Sequence, residues 1–131
     1  MVVETAIVVP VLLVFIGLIA VVGMMSSAAG TVEQAAREAA RTASLERTST
    51  AASASAERTA QTSLTEQDLT CADFAVTSNV AALSTPAGTA GQVSVEVRCT
   101  VDFSHLPVPG LSTRTYTAQA ASAVDTYRER G

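Results

Sequence analysis

The chain has 131 residues, room for one ordinary domain, and its 48% hydrophobic share is unevenly spread. A net charge of -4 with no lysine argues against nucleic-acid binding, because the arginines present form no basic patch to neutralise phosphates. After residue 30 the large apolar side chains are few, so any core is thin and calls for a staple.

From Ala6 to Met25 every residue is apolar, and no charge appears between Glu4 and Glu33. At about 1.5 Å per residue such a run crosses the ~30 Å hydrocarbon core of a bilayer as a helix. A cleaved secretory signal has a basic start and a shorter apolar stretch, and this segment has neither. Pro10 removes one backbone donor and crowds the carbonyl of Ala6, which predicts a kink or local unwinding. Gly17 and Gly23 fit either close approach of neighbouring helices or ordinary membrane-helix composition.

Residues 26–63 read as a continuation of the same helix, with Glu33–Arg37 and Glu38–Arg41 spaced for helical ion pairs. A stripe of large apolar residues is missing there, and Ser49–Ala56 is small on every side. Such a helix is marginal alone, so it either packs against identical neighbours or is a flexible linker.

Thr65–Asp68 reads as a turn or a capped short helix. Asp73–Ser78 reads as a first strand with Phe74 and Val76 on one face. Ser84–Gly91 is a loop by its Pro and Gly content. Val93, Val95, Val97, Cys99, Val101 and Phe103 alternate with polar residues, the clearest strand in the chain. Leu106–Leu111, with Pro107 and Pro109, is a connection to a third strand near Arg114–Ala123, which ends in Val124–Arg128.

Cys71 and Cys99 have no histidine cluster around them and make a poor metal site. Their midpoint falls in the loop between the first two strands, so an antiparallel pairing brings them roughly opposite each other. A disulfide is expected if this half is exported, two buried thiols if it is not. The first basic residues, Arg37 and Arg41, follow the apolar run, where a charge count alone would place the cytoplasm. Both observations hold together if a basic leader once preceded Met1 and was removed; the alternative is that Met1 is the initiator.

The single histidine, His105, has no serine and acid picked out by spacing, and no phosphate loop or metal pattern is present, so no enzyme and no cofactor are expected. Glu4 is different. An acid at the edge of a membrane helix is costly, so it is either a boundary marker in the headgroups or a functional charge. The functional reading pairs it, in a filament, with the N-terminal amine of a neighbouring subunit.

Glu4–Leu13, with its acid, apolar run and Pro10, resembles the opening of TadE-like proteins, and Ala35–Arg41 resembles their post-membrane helix. The cysteine pair, Pro107–Leu111 and Val124–Arg128 resemble the C-terminal half of high-GC Gram-positive members. The resemblance implies a type IVc (tight-adherence) pilus component, a minor or major pilin cut by a prepilin peptidase after a glycine. Its implied partners are copies of itself or other pilins, the inner-membrane assembly machinery and, before assembly, membrane lipid. It also implies a single-pass membrane protein that passes into a cell-surface filament. In pilins generally the acid is the fifth mature residue, whereas here it is the fourth, a departure of one position.

The expected architecture is therefore α+β: a long N-terminal helix, then a small antiparallel sheet closed by a disulfide. Its segments are 1–30 (membrane or filament-core helix), 31–63 (Ala/Ser/Thr-rich extension) and 64–131 (extracytoplasmic β-domain). Residues expected to matter for assembly are Met1, Glu4 and Pro10, and for closure Cys71 and Cys99. The rival reading is a membrane-anchored binding module that never polymerises.

Overall fold

The computed structural model describes residues 2–84, 91–106 and 109–124. Met1, most of the expected Ser84–Gly91 loop, Pro107 and Val108 of the expected Leu106–Leu111 connection, and the expected end of the third strand after Val124 lie outside the described residues.

Helix α1 runs from Val2 to Ser44, and α2 from Ser49 to Glu66. Strands β1 (Asp73–Asn79), β2 (Gly91–Asp102) and β3 (Thr113–Val124) form one antiparallel sheet in the order β1-β2-β3. A 3-10 turn, Ala81–Ser84, follows β1. The expected α+β order of long helix, small sheet and Cys71–Cys99 bridge is what the chain adopts.

One expectation is corrected. Residues 26–63 are not a single helix, because the chain reverses at Leu45–Thr48 and α2 packs back along α1. The cause lies in the side chains. Ala28, Thr31, Val32, Ala35, Ala36, Ala39, Ala40, Ala43 and Ser44 recur at the helical period and are buried, a stripe of small residues rather than large ones. Ala52, Ala56, Ala60 and Leu64 form the matching stripe on α2. Each methyl contributes only about 0.8 kcal/mol on burial, so the stripes have to face each other and the sheet together to be worth ordering. A continuous helix would leave both in water. The reversal is fixed locally by Thr48, whose hydroxyl accepts from the Ala51 amide at 3.2 Å as an N-cap.

At Pro10, where a kink or local unwinding is expected, α1 stays helical, so the unwinding does not occur. Proline removes one donor only, and the hydrogen bonds on either side carry the helix across. Of the two expected pairs on α1, Glu33 and Arg37 meet at 3.8 Å. Glu38 instead accepts from the Gln34 side chain at 3.0 Å.

The sheet packs one face on the helical pair. Val93, Val95, Val97 and Cys99 are completely buried there, as the alternation predicts. α1 lies along β3 and β2, while α2 covers β1. Two hydroxyl pairs stitch the layers, Ser122–Ser44 at 3.1 Å and Ser78–Ser53 at 3.3 Å.

Candidate membrane and assembly segment

The feature that sets this chain apart is the N-terminal half of α1. Every residue from Val2 to Ala20 is exposed, and the apolar window has a mean hydropathy of 3.0 with none of it buried in the fold. It is one helix long and apolar enough to cross a membrane. The packed part of the same helix begins at Met25 and Ala28. α1 therefore divides sharply into a bare apolar half and a half built into the domain, with no break between them.

Glu4 and Pro10 both lie on the bare half. Glu4 sits exposed in the first turn, where its negative charge is favoured by the helix dipole. Pro10 lines a shallow, wholly apolar groove of about 340 Å³ with Val11, Val14, Phe15 and Leu18. Met1, the third expected assembly residue, lies outside the described residues.

Cys71 and Cys99 are joined, with Cα atoms 5.4 Å apart. The route differs from simple opposition. The β1–β2 register places Phe74, not Cys71, across from Cys99. Cys71 precedes β1, and a bend at Ala72 swings it back over the partner strand while the Ala72 amide donates to Thr100 O at 2.7 Å. Cys99 is fully buried, and Cys71 is partly exposed at the rim of a cleft of about 350 Å³ beside Leu64, Asp68, Leu69 and Phe74. The bridge thus ties the end of α2 to the central strand.

A second tie, not foreseen from the sequence, joins the same end of α2 to α1. The Thr31 hydroxyl lies 2.9 Å from Ser27 O and 3.0 Å from Gln67 Oε1, and its single proton serves one of the two. Gln67 Nε2 donates to Gln34 Oε1 at 3.1 Å, and Gln34 donates on to Glu38. Glutamine and threonine on helices are too common for this chain of contacts to be visible before the hairpin is known.

Asp68 adopts φ 57°, the one positive φ outside glycine among the described residues. It closes α2, with its amide donating to Thr65 O at 3.1 Å and the Leu69 amide to Leu64 O at 3.0 Å. His105 is exposed in the turn after β2. Nearby, the Ser104 side chain and amide hold the Asp102 carboxyl below the usual carboxylate range, the charge of His105 adding to them. No group of three metal-ligating side chains occurs among the described residues.

No curated protein and no solved structure matches this chain. Residues 1–41 match the family model of the TadE-like protein, a match that covers the bare half of α1 and reaches Arg41 in the packed half. The match takes in Glu4–Leu13 and Ala35–Arg41, the residues that carry the resemblance, so the first 41 residues of this chain are similar to the N-terminal segment of TadE-like proteins.

Proposed function

We propose that this chain is a structural subunit, a minor or major pilin, of a type IV-like extracellular filament of the tight-adherence class. The observation that carries the reading is the division of α1. Its TadE-like half is apolar on every side and packed against nothing in its own fold. A surface of that kind needs lipid or other helices around it. On this reading α1 anchors the chain in the membrane first and joins a bundle of like helices later, with the sheet displayed outside. Its partners are copies of itself or other pilins, an inner-membrane assembly machine and a prepilin peptidase. The role is structural, with no catalytic residue assigned.

Glu4 is the residue on which the reading turns. Buried in a bundle, its carboxylate needs a positive partner, and a neighbour's N-terminal amine supplies one. Glu4→Gln keeps shape and polarity but removes that attraction. The variant is expected to insert in the membrane normally and to enter filaments several-fold less often, with Glu4→Asp recovering part of the loss. Immunogold imaging of surface filaments, beside the membrane-fraction content, reads both quantities. Normal filament abundance with Glu4→Gln sinks the pairing, and a chain found only in the membrane favours the non-polymerising anchored module.

A further inference from the structure

The domain has two ends, and the contacts say which one faces the apolar half of α1. Ser44 meets Ser122 near the end of β3, so the start of β3 lies toward the N-terminal part of α1. Going back from Ser122 to Thr113 covers about 30 Å of strand. The same length of α1 takes about 20 residues, back to the last turn of the apolar run. Three contacts agree. Asp102 pairs with Thr113 at that end, Gln67 of α2 reaches Thr31 there, and Met25 already packs against the core. The β2–β3 turn and the α2–β1 junction thus stand level with the end of the apolar run, and α1 leaves no spacer between them.

We propose that this end of the domain rests on the headgroup layer of the bilayer that α1 crosses, with the described residues of the β2–β3 connection, Ser104, His105, Pro109 and Gly110, as its point of contact. The inference rests on the membrane stage of the reading above and goes beyond it, because an anchor alone leaves a domain free to stand clear. A continuous helix does not. With the hydrocarbon boundary at Met25, Thr31 is only about 9 Å further along the axis, at the outer edge of the headgroup region. Ser104, His105, Pro109 and Gly110 are exposed on the turn, Leu106 and Leu111 are half-buried within it, and Leu69 is half-buried at the α2–β1 junction. Glu66, Asp68, Asp73 and Asp102 outnumber Arg114 and His105 at this end. The contact therefore suits a zwitterionic surface, whose ammonium groups lie outermost, and is weakened by anionic lipid.

The chain has no tryptophan, so one introduced indole reports alone. The full chain, carrying His105→Trp, Leu45→Trp or Ile16→Trp, is reconstituted in phosphatidylcholine vesicles containing lipid spin-labelled on the headgroup or on the acyl chain. Headgroup label is expected to quench His105→Trp about threefold more than Leu45→Trp, which sits at the opposite end of the domain on the α1–α2 turn. Pro109→Trp, on the same turn as His105, is expected to repeat the result. Partial replacement by phosphatidylglycerol is expected to lower the quenching, and salt to restore it. Equal quenching at positions 105, 109 and 45, with Ile16→Trp quenched from the acyl chains, overturns the contact while leaving the span intact. Failure of acyl-chain label to quench Ile16→Trp overturns the span and the contact with it. Quenching at position 105 that is indifferent to phosphatidylglycerol overturns the choice of headgroup.

Discussion

Ser122 donates its hydroxyl proton to Ser44 Oγ at 3.1 Å, and Ser44 donates in turn to the Arg41 carbonyl at 2.7 Å. Two residues 78 positions apart thereby satisfy one of the open carbonyls at the end of α1 and fasten β3 to it.

The two serines are not equivalent. Ser44→Ala leaves both the Ser122 hydroxyl and the Arg41 carbonyl without partners in a part-buried site, an expected loss of about 1–2 kcal/mol. Ser122→Ala removes only the outer link and is expected to cost about 0.5–1 kcal/mol. Urea unfolding of the full chain in detergent, followed by circular dichroism, compares them. An equal loss from both, or a larger one from Ser122→Ala, contradicts the relay.

The Cys71–Cys99 bridge closes a loop with a sequence separation of 28. On the chain-entropy account such a loop is worth about 3–4 kcal/mol. Cys71→Ala with Cys99→Ala is expected to lower the melting temperature by more than about 10 °C, given the small size of the domain. Loss of only a degree or two shows that the helix–sheet packing holds the end of α2 without the bridge.

Asp68 closes α2 in a conformation that costs most residues about 1 kcal/mol and glycine almost nothing. Its negative charge also lies at the wrong end of the helix dipole. Asp68→Gly is expected to stabilise the fold by about 0.5–1 kcal/mol after the added freedom of the unfolded chain is deducted. Thermal unfolding reads the change, and a fall in melting temperature shows that the carboxylate is bound to something in the assembled protein.

Tyr116 places its hydroxyl out of water with no hydrogen-bond partner among the described residues, and burial raises its pKa above the ordinary value despite the opposing charge of Arg114. The sign follows from the raised value. The stability tied to the neutral phenol is intact below about pH 10, and is lost as pH climbs, because the unfolded chain ionises first. Tyr116→Phe is expected to gain about 1 kcal/mol at neutral pH and to flatten the alkaline decline. A destabilised Tyr116→Phe shows that the hydroxyl has a partner after all.

The parts legible in the sequence are those where a single period or spacing dominates. Val93 to Val101 alternate without error, so β2 is visible at once, and Ala6 to Met25 can be little other than a bare apolar helix. The helical hairpin was hidden for a physical reason. Its stripe from Ala28 to Ala43 has the right period but is made of alanine, which is equally at home in water, and Leu45–Thr48 turns without glycine or proline. Thr48 caps α2, yet hydroxyl residues are so frequent from Ser44 to Thr65 that no single one signals a start. The cysteine pairing was readable from spacing, while its offset register depends on the bend at Ala72, where no residue type announces a change. Glu4 and Pro10 were conspicuous because each is anomalous in its surroundings. The Thr31–Gln67 contact joins two ordinary polar residues and became visible only with the fold.

In the assembly proposed above, α1, unbroken from Val2 to Ser44, acts as a drive shaft as well as an anchor. Whatever fixes the rotation of Phe15 or Leu18 among its neighbours also fixes the compass bearing of the sheet, since no joint lies between them. A slip of one residue in that packing would lift the domain by only about 1.5 Å but swing it through about 100°. Small apolar substitutions deep in the helix therefore have a reach out of proportion to their size. They change which side of the sheet the outside world meets.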